Sequence, residues 1–87
     1  MRELRDEYGC AISLAYLGLN REQFQDWERA QRYYEDARQL LNAKNMPAYA
    51  LEATAGLARC ALALGNLTSA QEYTAQVWSY LDQHGVL

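Results

Sequence analysis

The chain has 87 residues, 51% of them hydrophobic, with 8 basic against 11 acidic side chains for a formal charge of −3. A chain of this length forms one small domain that buries only about 60–65% of the surface its unfolded form exposes, and it is marginally stable on its own. Residues 1–44 hold seven Arg or Lys against eight Asp or Glu, and residues 45–87 hold only Arg59 against Glu52, Glu72 and Asp82. That balance leaves no basic face for a phosphate backbone and argues against nucleic-acid binding.

A single proline, abundant Ala, Leu, Gln, Glu and Arg, and the lack of any stretch alternating with the period of a strand point to an all-helical chain. Helix one is expected from Arg2 to Glu22, with Glu3, Asp6 and Glu7 at its positive end and an apolar stripe through Leu4, Tyr8, Ala11, Leu14, Ala15 and Gly18. Helix two begins after Asp26, a residue able to cap free amides, and carries Trp27, Ala30, Tyr33, Tyr34, Ala37, Leu40 and Leu41 at three- and four-residue spacing. Pro47 suits the first turn of helix three, where a missing amide costs nothing. That helix is apolar almost all round from Tyr49 to Leu64, which places it at the centre of the domain. Gly65-Asn66 makes the next turn, helix four carries Leu67, Ala70, Tyr73, Val77, Trp78 and Leu81, and Gly85-Val86 reads as a left-handed stop.

Two segments of the chain match each other with an offset of 40 residues: Leu17 aligns with Leu57, Gly18 with Ala58, Ala30 with Ala70 and Ala37 with Val77. Together with Trp27 and Tyr34, this pattern resembles the tetratricopeptide (TPR) family of helical-hairpin repeats. The resemblance covers repeat one at about 11–44 and repeat two at about 51–84. It is weaker in the second unit, where Ala58 replaces glycine and Thr54, Ala61 and Thr74 stand at positions the family fills with larger residues. It implies four antiparallel helices in two hairpins, stacked as a short superhelix across the single domain 1–87, with Gly18 facing Ala30 and Ala58 facing Ala70 at the close crossings. Lengthened repeats are similar to those of some signalling and motor-adaptor members, which implies a part of a larger signalling or regulatory protein.

The resemblance also places a partner-binding groove along the first helix of each repeat, at Ile12, Ala15, Leu19, Glu22 and Gln23, then Glu52, Ala55, Arg59, Leu62 and Ala63. Members that grip acidic chaperone tails carry Lys and Asn where this chain has Ala15 and Leu19, so the implied partner is instead an apolar protein or peptide segment. The plainer alternative is that these residues pack against neighbouring repeats. Repeat arrays need about three units and a polar cap. With two, the chain is expected to belong to a longer protein or to self-associate through Trp78, Tyr80 and Leu81, as a homodimer or against further repeats.

Other chemistry finds little support. The only histidine, His84, sits in the last turn of the last helix, and adjacent carboxylates such as Asp6-Glu7 and Glu35-Asp36 point about 100° apart on a helix, too divergent to share a proton. No phosphate loop, metal motif or nucleophile with a base in reach appears, so no enzyme, cofactor or metal is expected. Cys10 and Cys60 lack paired spacing and read as free structural thiols, which fits a cytoplasmic compartment. No segment reads as a bilayer span, and Asn66-Leu67-Thr68 reads as turn and cap before glycosylation site. The expected function is a non-enzymatic protein–protein interaction scaffold. A second possibility is a small helical domain holding a hydrophobic ligand between helices one and three, beside their Tyr and Cys residues.

Overall fold

A computed structural model describes residues 4–83, with side chains from Gly9 onward. Four helices follow one another: α1 (Leu4–Gln23), α2 (Trp27–Ala43), α3 (Pro47–Ala63) and α4 (Leu67–Gln83). No strand occurs among the described residues, as the all-α reading required. Each helix packs along its chain neighbour, and α3 also touches α1. This open succession of antiparallel hairpins forms a slab of 42 × 34 × 16 Å.

The three turns are built alike. In the first, the Gln25 amide donates to the Glu22 carbonyl and the Asp26 amide to the Arg21 carbonyl; the pairs Asn45 to Asn42 with Met46 to Leu41, and Gly65 to Leu62 with Asn66 to Ala61, repeat it. This is the pair of hydrogen bonds that closes a helix on a left-handed residue. Gln25, Asn45 and Gly65, spaced twenty residues apart, take φ of 62°, 56° and 82°. Glycine tolerates that conformation freely, whereas Gln25 carries a strain of roughly 1–2 kcal/mol. A twenty-residue helix-and-turn unit therefore underlies the 40-residue repeat. The amides of Ala30, Ala50 and Ala70 open the following helices by donating to Asp26, Met46 and Asn66, and these three small side chains are buried.

Several local expectations change. Asp26 makes no side-chain cap; its carboxylate lies 3.6 Å from Arg29 instead. Asn66 does cap, accepting from the Ser69 amide at 3.3 Å. Pro47 opens α3 as expected, and the helix ends at Ala63, just short of Leu64. Gly85-Val86 and His84 lie outside the described residues. Helix α3 is indeed central, burying Ala50, Ala53, Thr54, Gly56, Leu57, Cys60 and Ala61. By contrast α4 buries only Ala70 among its described residues, because among the described helices only α3 packs along it.

The core assembles around Tyr34, with Ala30, Ala37, Ala53, Leu57 and Cys60, and Leu14, Ala15, Trp27 and Tyr73 at its margin. The side chain nearest to Gly18 is that of Tyr34. A Cβ on Gly18 would lie 3.0 Å from the Tyr34 ring, and one on Gly56 would lie 2.6 Å from the same ring. Tyr34 thus fills a slot between two glycines, one on α1 and one on α3. Ala58 and Ala70 line a common hollow between α3 and α4.

A methyl group at Gly56 would press on a Tyr34 ring that Gly18 also approaches closely, which restricts the ring's room to move. Overpacking of about 1–3 kcal/mol then outweighs the gain of about 1 kcal/mol in helix propensity. Gly56→Ala should lower the melting temperature while Gly9→Ala, whose Cβ meets nothing within 4 Å, should raise it. In a Tyr34→Ala background, Gly56→Ala should become stabilising; equal effects in both backgrounds would show that the ring does not occupy the slot.

The thiols separate as well. Both are free, Cys10 exposed and Cys60 buried; burial, with the Glu22 charge adding to it, pushes the Cys60 thiol up to about 11. A thiol reagent under native conditions should modify Cys10 rapidly and Cys60 only at the rate of opening. Equal rates would contradict the central place of α3.

Candidate interaction surface

Helices α1 and α3 leave between them a half-enclosed hollow of about 520 Å³. Six of the ten residues assigned to a groove by the family resemblance line it: Ile12, Ala15 and Leu19 from α1, and Glu52, Ala55 and Arg59 from α3. Equivalent residues 40 positions apart meet here because α1 and α3 run side by side. Tyr16, Tyr34, Tyr49 and Ala53 also line the hollow, and Tyr16 and Tyr49 are exposed at its rim. The helical spacing Ile12, Ala15, Tyr16, Leu19 places Tyr16 on the same face and could have revealed it from sequence. Tyr34 belongs to α2 and enters only through the slot between the glycines.

Of the other expected groove positions, Gln23 and Ala63 are exposed and do not line the hollow, and Leu62 lines the α3–α4 hollow instead. Glu22 serves a different purpose. It accepts from the Tyr34 hydroxyl at 2.7 Å and from Arg59 through Nε and, at 3.1 Å, Nη2. One carboxylate thereby ties α1 to both α2 and α3 at one end of the hollow. Arg59 is therefore no lone positive charge in the groove.

The ionisation of these groups follows from that geometry. The hydrogen bonds from Arg59, opposed by burial and reinforced by the bond from Tyr34, hold the Glu22 carboxyl below the usual carboxylate value. Burial first, and then the bond to Glu22, push the Tyr34 hydroxyl up to about 12. Arg59 is held more firmly protonated by its bonds to Glu22. Such shifts belong to a structural ion pair, and no group of three or more metal-ligating side chains exists among the described residues. Neither cysteine lines the hollow.

Residues assigned to self-association behave unequally: Trp78 is exposed, whereas Tyr80 and Leu81 are half-buried. No helix among the described residues is long and apolar enough to cross a membrane. Compared with protein-family models, curated proteins and solved structures, the chain matches none.

Tyr34 supplies a pH signature. Its folded pKa lies above the unfolded value of 10.0, so its contribution to stability is complete below pH 10 and is lost as pH rises through about 12. The contribution of Glu22, whose pKa is lowered, is present above its unfolded value of 4.5 and fades as pH falls through the folded one. Urea unfolding of the wild type and of Tyr34→Phe should differ most at neutral pH, by about 1.5–3 kcal/mol for a hydrogen bond to a carboxylate, and converge between pH 10 and about 12. A difference constant across that window would mean that Tyr34 does not donate to Glu22.

Proposed function

We propose that this protein is a non-enzymatic interaction scaffold of the tetratricopeptide kind, whose α1–α3 hollow receives an apolar segment of a protein or peptide partner. What carries the reading is the hollow itself: six positions of one repeat register, joined by exposed Tyr16 and Tyr49, converge on a surface backed by a filled core. Aromatic side chains beside small aliphatic ones are what interface centres favour. The Glu22–Arg59 pair closes one end of the hollow with its charges already mutually satisfied, so an acidic tail gains no free cation there. A chain of free thiols and this function fit a cytoplasmic setting.

Retention of a small hydrophobic ligand is the weaker reading, because the hollow is open along one side and its lining lacks both cysteines. Ligand pockets bury about 70–90% of their occupant.

Panning a random peptide library against the chain should enrich apolar and aromatic sequences. Ala55→Arg, which fills the hollow, should lower their affinity at least about tenfold without unfolding the protein. Bound peptide should shift the amide resonances of Ile12, Ala15, Leu19, Glu52 and Ala55. Peptides that bind Ala55→Arg equally well, or that shift other residues, would overturn the assignment.

A further inference from the structure

Helix α3 sits against α2 and α1, and the place 40 residues further along the chain, against α4 and α3, is a second hollow of about 600 Å³. Its lining includes Ala58, Ala70 and Thr74, the counterparts of Gly18, Ala30 and Tyr34, which α3 covers. The helix face that α3 uses for that seat also has a counterpart. Ala53, Gly56, Leu57 and Cys60 of α3 are buried, and their equivalents on α1, namely Ser13, Tyr16, Leu17 and Asn20, are all exposed. Among the described residues, the seat beside α3 and α4 and the seating face of α1 are therefore both uncovered.

We propose that a second copy of this chain docks its α1 in the α3–α4 hollow, in the manner of α3 on α1 and α2, so that copies assemble head to tail. The choice of a second copy rests on three contacts of the internal joint and what stands at their equivalents. Inside the chain Glu22 pairs with Arg59; between copies the same positions bring Leu62, 61% exposed, to Leu19, 43% exposed. Inside, the large Tyr34 fits the absent side chain of Gly56; between copies the small Thr74 faces Tyr16, 68% exposed. Inside, the Arg38 guanidinium lies 5.6 Å over the Tyr73 ring; between copies Trp78, 55% exposed, meets Tyr33.

At the first two positions both partners change together, charge with charge to apolar with apolar and large with small to small with large; at the third the tyrosine ring is kept and Arg38 gives way to Trp78. An unrelated partner would have no reason to match two paired changes at once and to keep the aromatic ring at a third. Because seat and seating face are different surfaces, the contact is heterologous and does not close on itself as a two-fold dimer does. The joint also accounts for the exposure of Trp78 and Leu62, which the isolated chain leaves in water.

Sedimentation velocity of the 87-residue chain should show a weight-average mass that rises with concentration beyond that of a dimer. Leu62→Glu should weaken association at least about 100-fold, the effect of facing a carboxylate with apolar side chains. Adding Leu19→Arg to the same chain copies the internal ion pair into the joint and should restore assembly, now sensitive to salt. Leu62→Glu mixed with Leu17→Glu should give a one-to-one dimer and nothing larger, since each retains one working end. Circular dichroism checks folding, and Ser13→Glu, on the same face, replaces Leu17→Glu should that variant unfold. A chain that stays monomeric at its solubility limit, a closed dimer, or failure of both the rescue and the mixture would overturn the proposal. None of these readouts depends on peptide binding in the α1–α3 hollow.

Discussion

The Tyr34 ring between Gly18 and Gly56 is the contact on which the arrangement of α1, α2 and α3 depends. Two glycines let a bulky ring enter where ordinary side chains would hold the helices apart, and the ring in turn fills the space that would otherwise be a cavity. Its hydroxyl cannot be left unpaired at that depth, since a buried polar group without a partner costs about 1–3 kcal/mol. Glu22 satisfies it, and Arg59 satisfies Glu22. Packing thus requires the polar chain, and the polar chain fixes the end of the α1–α3 hollow.

The exposed Glu22–Arg59 pair contributes little by Coulomb attraction alone, because half of the Arg59 side chain is in water. Its value is positional. By joining helices from both hairpins it holds Leu19 and Ala55 across the hollow at a set spacing, so the surface proposed to receive a partner is preorganised. Mobility would cost affinity, and this end of the groove has little of it to lose.

Marginal size shapes the rest. The buried core around Tyr34 is drawn from α2 and α3 with α1 and α4 only at its margin, and α4 is tied to α2 through Arg38, which donates to Gln76 at 3.1 Å and lies over Tyr73. The second hairpin repeats the shape of the first without its large residue, since Thr74 stands where Tyr34 would. That replacement leaves the seat at the open end shallower in side chains and wider in space, which suits a tyrosine arriving from elsewhere.

Helix number, the central place of α3 and the turn at Gly65-Asn66 were legible in the sequence, because helical periodicity determines which residues share a face before any packing is known; six of the ten groove positions came from the family resemblance and not from periodicity. The break at Asn45-Met46-Pro47 was legible too, whereas the left-handed turn at Gln25 was not, since glutamine does not advertise a positive φ as Gly65 and, less strongly, Asn45 do. Nor was the partner of Gly18. A missing side chain tells only that something comes close, and whether Ala30 or the Tyr34 ring fills the space is decided by the crossing of α1 and α2. The same holds for Glu22, Tyr34 and Arg59, which lie 12 and 37 residues apart in the paired groups. Periodicity orders side chains around one helix axis, whereas a hydrogen bond between helices depends on their relative rotation, and only the packed structure sets that.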